Sequence, residues 1–280
     1  MKKELIFIDA HVHIYDCFRI ERVLDFALAN FEKASRRMAG SRRFDGILFL
    51  TETAGTNKYS QLLRYARENS STKTLETSGW KFYCTDEGTC LRASLDDQQN
   101  IFIIAGRQII TAENLEVLSL ATTTNFAGGR PLYDVIHQIT EHEGIPVIPW
   151  GVGKWLGKRG TFLKEFMMKN KGSNIYLGDN GGRPSFWLHI SHFQLAIEYG
   201  IRILRGTDPL PLTDEVKRIG NFGFMVAEDL DTSHPSSHVK KLLQDNHTNI
   251  INYGNLQNPI RFFRNQFILK LRRQTSKKDC

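Results

Sequence analysis

The sequence predicts an α/β fold, a β/α barrel carrying a small antiparallel hairpin insertion. Short apolar runs alternate with amphipathic helical stretches along most of the 280 residues. The alternation breaks once, around Asp86-Glu87-Gly88, where two strand-like segments flank a turn. Several apolar runs end in polar or charged residues, and parallel α/β folds place their chemistry at that end of their strands.

The first strand is Leu5 to His13, an apolar run ending in His-x-His. Residues i and i+2 of a strand share a face, so His11 and His13 project together. Phe18 to Met38 is predicted helical, with Val23, Leu24, Ala27, Leu28 and Phe31 on one stripe. Phe44 to Thr53 is a second buried strand ending in Glu52, and Tyr59 to Glu68 a second helix. Trp80 to Thr85 and Cys90 to Leu95 form the hairpin, an insertion of about 72–98. Ile101 to Ile104 is a strand followed by Gly106-Arg107-Gln108, and Leu115 to Leu120 is another. Leu132 to Glu143 is a helix stopped by Gly144. Ile145 to Ile148 leads into Pro149-Trp150-Gly151-Val152-Gly153-Lys154-Trp155. Thr161 to Lys169 is helical, and Asn174 to Leu177 is a strand leading into Gly178-Asp179-Asn180-Gly181-Gly182-Arg183. His189 to Tyr199 is a helix, and Ile201 to Leu204 a strand ending in Gly206-Thr207-Asp208-Pro209. A strand over Phe222 to Ala227 and a helix over Ser237 to Gln244 follow. The final helix starts at Pro259, which suits a first turn, and runs to about Arg273. Its apolar face (Ile260, Phe263, Phe267, Leu271) is expected to close the domain. No repeat or low-complexity linker divides the chain, so one domain is predicted over 1–280, with 255–280 its C-terminal helix and basic tail.

Charged or polar residues interrupt every apolar run, which excludes a membrane span. The start of the chain lacks the small-residue cleavage site of a signal peptide, so a cytoplasmic location is expected. Cys17, Cys84, Cys90 and Cys280 contain no Cys-x-x-Cys pair, which argues against a zinc knuckle. Cys84 and Cys90 flank the predicted turn and read as reduced thiols in a cytosol. The net charge of +7 is concentrated in Arg36, Arg37, Arg42 and Arg43 and in a basic tail from Lys270 to Lys278. Such runs are usually solvated faces, and no groove-reading or stacking motif accompanies them, which argues against a nucleic-acid partner.

If the strands converge, His11, His13 and Asp208 supply two imidazoles and a carboxylate. That set suits one divalent ion (zinc, manganese or iron) with open positions for water. Asp208 and Glu52 are the candidate catalytic carboxylates. The Gly-rich turns present amides beside Lys154 and Arg183 that suit an anion. Arg107, Asn180 and Trp150 complete the candidate substrate wall. The same residues also have a simpler reading, as tight turns, turn carboxylates and buried tryptophans.

Taken together, these segments resemble the polymerase-and-histidinol-phosphatase (PHP) family, relatives of the amidohydrolases. Ile8-Asp9-Ala10-His11-Val12-His13 matches its opening Asp-x-His-x-His. Ile104 to Thr111 with Glu116-Val117-Leu118, Glu143 to Trp150, and Gly206-Thr207-Asp208-Pro209-Leu210 follow its later motifs in order. The resemblance spans about residues 4 to 210. It implies a distorted TIM-like (β/α)7 barrel with a cluster of two or three metals hydrolysing phosphoesters. Gln108 stands where that family has a bridging Glu, and Trp150 and Leu210 stand where it has histidines. The matched positions therefore support at most one ion, on His11, His13 and Asp208, or none.

Two functions follow as expectations. The first is a metal-dependent hydrolase, phosphoesterase-like, acting on a small anionic substrate through a reduced metal site. The alternative is a catalytically inactive barrel that binds a ligand or partner at the same mouth. No membrane partner is expected, and homo-oligomerisation is left open.

Overall fold

A computed structural model describes residues 4–40, 43–68, 79–95 and 99–276, with the side chains of 272–276 left out. Arg42, the Lys277-to-Cys280 end of the basic tail, and residues 72–78 and 96–98 of the expected insertion lie outside the described residues.

The strands are β1 (Leu5–Val12), β2 (Phe44–Leu50), β3 (Lys81–Cys84), β4 (Cys90–Ser94), β5 (Asn100–Ile104), β6 (Gly106–Ile110), β7 (Glu116–Leu120), β8 (Ile145–Pro149), β9 (Tyr176–Asn180), β10 (Arg202–Gly206), β11 (Gly223–Val226) and β12 (Ile251–Tyr253). The helices are α1 (Ile20–Ala39), α2 (Lys58–Glu68), α3 (Leu132–Glu141), α4 (Gly157–Lys169), α5 (Ser191–Glu198), α6 (Pro235–Gln244) and α7 (Pro259–Ser276), with a 3-10 helix over Thr213–Arg218.

These strands form two sheets, not a closed barrel. One has seven strands in the order β12-β11-β1-β2-β5-β4-β3, the other five in the order β10-β9-β8-β7-β6. The predicted TIM-like (β/α)7 barrel, and with it the architecture that the PHP resemblance implied, is overturned. The reason lies in the connections. After β5 the chain passes through Ala105 and starts β6 in the other sheet, where the sequence reads as one strand with a polar end. The β6–β7 and β7–β8 pairs are antiparallel, as are β11 and β12 on the far side of β1. A (β/α) barrel requires parallel pairing throughout.

Strand alternation sorts the side chains into layers. Ile6, Ile8 and Ala10 of β1, Ile47 and Phe49 of β2, and Phe102 and Ile104 of β5 meet Leu118, Leu120, Val147, Tyr176 and Leu204 of the second sheet in a core between the sheets. Leu5 and Phe7 point the other way, with Leu48 and Leu50, against α1 and α2. Helices α3, α4 and α5 cover the outer face of the second sheet through Val135, Ile139, Leu163, Phe166 and Ala196. Each such aliphatic or aromatic side chain contributes about 1.5–3 kcal/mol when fully buried.

The interior is closed at one end by α6. Val239 and Leu243 pack into the central core, the Tyr176 hydroxyl donates to the Leu243 carbonyl, and Pro235 opens the helix. Glu87, in the turn of the β3–β4 hairpin, accepts the Ser236 and Ser237 amides at 2.7 and 2.9 Å and so caps that helix. The hairpin forms where predicted. The other end, beyond the C-terminal ends of β1, β8, β9 and β10, holds the candidate site. No helix among the described residues is long and apolar enough to cross a membrane.

Candidate metal centre

His11 and His13 lie at the end of β1, both nearly buried. A register shift between Asp9 and Val12 reverses the alternation, so Val12 and Ile14 join the Leu5 and Phe7 face and the two histidines turn to the other side. The end of β10 runs beside them, and the Asp208 amide donates to the His11 carbonyl at 2.8 Å. This contact brings together residues 197 positions apart in the chain. His11 Nε2 and His13 Nε2 are 3.1 Å apart, and each lies 3.5 Å from Asp208 Oδ1. Asp208 has φ = 46°, a left-handed conformation uncommon for a residue with a side chain. Asn180, at the end of β9, donates from Nδ2 to Asp208 Oδ2 at 2.9 Å and to the Trp150 carbonyl at 2.7 Å. That leaves Oδ1 facing the imidazoles.

Burial pushes both histidines down to about 4, so both rings are neutral at pH 7. For His11 this is opposed by the Glu116 charge and a hydrogen bond to Gln108. His13 is lowered further by His11, against the opposing effects of Asp208, the Thr51 backbone and Gln108. Burial raises the Asp208 carboxyl, offset in part by His13 and Arg218. Burial also raises the Tyr15 phenol, which keeps its proton across the neutral range.

The cavity above these groups measures ≈ 1030 Å³. His13, Asp208 and Gln108 form part of its floor, with Tyr15, Trp150 and Asn180 on its walls and Lys154 paired to Glu116 at 3.1 Å. Gln266, Leu269 and Lys270 of α7 and Gln257 line the far side.

Of the residues singled out in the sequence, His11, His13 and Asp208 come together, and Lys154, Trp150 and Asn180 line the cavity beside them. The other three lie elsewhere. Glu52 accepts the Tyr59 amide at 3.1 Å in the first turn of α2. Arg107 donates to the Thr56 carbonyl and to Asn57 Oδ1. Arg183 is buried against Asp179, with Nε–Oδ1 at 2.7 Å and Nη2–Oδ2 at 2.8 Å, and it holds the Trp187 carbonyl. It braces the loop after β9.

Sequence reasoning missed Glu116, Tyr15 and Gln257 as cavity residues. Glu116 opens its strand, and because β7 runs antiparallel to β8 its first residue lies at the mouth where β8 ends. Strand direction has no signature in the local residue pattern. Tyr15 lies two residues past His13, on the same period of two, and is the one accessible from the sequence.

No family model matches the chain, and no curated protein matches it. Among solved structures, PsfC from Pseudomonas syringae PB-5123 is similar in fold, with a TM-score of 0.52 and 13% identity over 98% of this chain and 99% of that chain. At that identity the likeness is one of fold alone.

Proposed function

We propose that the chain is a metal-dependent hydrolase of a small anionic substrate, with one divalent ion (zinc, manganese or iron) on His11, His13 and Asp208. The observation that carries this reading is the ligand spacing. Two ligands each about 2.1 Å from a tetrahedral ion lie about 3.4 Å apart. The three separations here are 3.1, 3.5 and 3.5 Å. The donor set suits zinc, manganese or iron. The same 3.1 Å contact is also the length of a hydrogen bond between neutral imidazoles, and it is the addition of Asp208 Oδ1 at 3.5 Å from both nitrogens that favours an ion.

Such an ion supplies Lewis acidity and an activated water. The chain supplies the rest. Asn180 fixes the Asp208 carboxylate, and Gln108 and the Thr51 backbone orient the rings, the supporting contacts that metal-ligating histidines generally need. Lys154 offers a cation to the substrate anion, with Glu116 holding its ammonium in place. The protonated Tyr15 hydroxyl is a donor to a leaving oxygen. With Asp208 engaged by the ion, Lys154 and Lys270 against Glu116 would leave the cavity lining net positive, which favours a phosphoester over a neutral ester.

Metal analysis of protein purified without chelator and reconstituted with Zn²⁺, Mn²⁺ or Fe²⁺ tests the reading. About one ion per chain is expected, reduced at least about 100-fold in affinity in His13→Ala and Asp208→Ala, with phosphodiester or phosphomonoester hydrolysis lost in parallel. A chain that takes up no stoichiometric ion contradicts the proposal. Metal uptake without turnover favours a ligand-binding protein instead.

A further inference from the structure

We propose that the outward face of α7, with the loop carrying Phe186 and Leu188, docks on an anionic lipid surface. The sequence suggests that Ile260, Phe263, Phe267 and Leu271 close the domain. The structure turns them outward, at 80%, 61%, 63% and 46% exposure. Their spacing puts them on one stripe of the helix. Phe186 (56% exposed) stacks on Phe263 with ring centroids 5.8 Å apart and planes 10° from parallel, and Leu188 (62% exposed) follows on the same loop. The stripe and the loop thus form one apolar surface.

This surface is fixed. On its other side α7 buries Phe262 and Asn265, and Arg261 Nη2 and Asn265 Nδ2 both reach the buried Glu215 Oε1 at 2.9 Å. Rolling the helix to hide the stripe would break those contacts. Arg183 holds the Phe186 loop through the Trp187 and Leu188 carbonyls.

Charge selects the occupant. Arg264 and Lys270, both exposed, flank the stripe on opposite sides. Residues 259–276 contain Arg261, Arg264, Lys270, Arg272 and Arg273 and no acidic residue, and neither does the 184–190 loop. A second copy of this chain would set cations against cations. A nucleic acid would answer the charge but leave Ile260 and Leu271 unmatched. An apolar stripe edged by Lys and Arg suits the boundary between anionic headgroups and acyl chains. Lys270, at one edge of the stripe, also lines the cavity, so the cavity lies against the flank of this helix. The expectation of no membrane partner rests on the lack of a spanning apolar run, which does not bear on a helix lying in the interface. The inference is independent of the hydrolase reading.

Vesicle flotation of the full chain tests it, with phosphatidylcholine alone against phosphatidylcholine mixed with phosphatidylglycerol. Binding to the anionic vesicles is expected, about tenfold or more above the neutral ones, weakening as salt is raised. Phe263→Ser/Phe267→Ser and, separately, Phe186→Ser/Leu188→Ser should abolish it, and Arg264→Glu/Lys270→Glu should cut it about tenfold. The positions are exposed, so circular dichroism and melting temperature should stay near the parent's. The idea is overturned if the parent ignores anionic vesicles. It is equally overturned if the parent is a dimer that Phe263→Ser/Phe267→Ser dissociates, or if it retains DNA in place of vesicles. Failure of metal uptake would leave the vesicle result untouched.

Discussion

Asp9 is fully buried in the strand that carries both histidines, and it ties the site together. Its Oδ1 accepts the Thr207 amide at 2.8 Å and the His11 amide at 3.3 Å. Its Oδ2 accepts the Thr207 hydroxyl at 2.6 Å and the Gly220 amide at 2.9 Å. One carboxylate thus holds the backbone of His11, a candidate metal ligand, and the residue before Asp208. Asp9→Asn would set an NH₂ against the Gly220 N–H. A loss of about 1–3 kcal/mol in urea unfolding is expected, with weaker metal retention. Unchanged metal affinity in a destabilised variant would show that Asp9 supports only the fold. Asp45 is a buried carboxylate of another kind, remote from the site on β2. Burial, reinforced by Glu4, raises it to about 6 despite Arg43, Asn100 and Arg92. A folded value above the unfolded one means that the native state binds more protons between about pH 4 and 6, so Asp45 costs stability as pH rises through that window. Asp45→Asn should stabilise the chain by about 2 kcal/mol at pH 7.5 and by little at pH 4. Denaturant midpoints at the two pH values give the answer, and an equal effect at both would refute the account.

At the scale of elements, the sequence identifies pieces better than their neighbours. The apolar stripe from Val23 to Phe31 predicts α1, and all five stripe residues are buried. The hairpin across Asp86-Glu87-Gly88 is legible because turn chemistry is local. The His11/His13 pair is legible because a period of two is intrinsic to a strand. Gln108 is harder. It reads as the end of the strand begun at Ile101, but it sits within β6, in the other sheet, because the chain crosses at Ala105. Nothing local marks that crossing. The stripe on α7 shows the opposite limit. Periodicity locates an apolar face but does not say whether protein covers it. The buried side of α7 is set instead by Glu215, which pairs with Arg218 three residues on and with the distant Arg261.

At the scale of the molecule, the two sheets meet along two seams, each with a glycine where the backbones come closest. At one, the Glu52 amide donates to the Gly106 carbonyl, and a Cβ on Gly106 would lie 2.4 Å from the Leu50 oxygen. At the other, a Cβ on Gly206 would lie 2.3 Å from the His11 nitrogen and 2.5 Å from its Cβ. Both obstructions include backbone or a β-carbon, which no side-chain rotation relieves. Alanine at either seam should therefore wedge the sheets apart, lowering stability by about 1–3 kcal/mol or more. The two differ in what else they disturb. Gly206→Ala pushes β10 off β1 between His11 and Asp208, so the ligand separations near 3.5 Å open and metal affinity should fall more than after Gly106→Ala. Melting curves with and without added Zn²⁺ separate the effects. Zn²⁺ should raise the melting temperature of the parent and of Gly106→Ala, and leave that of Gly206→Ala nearly unmoved. An equal zinc-induced shift in all three proteins would mean that the seam between β1 and β10 does not set the spacing of the ligands.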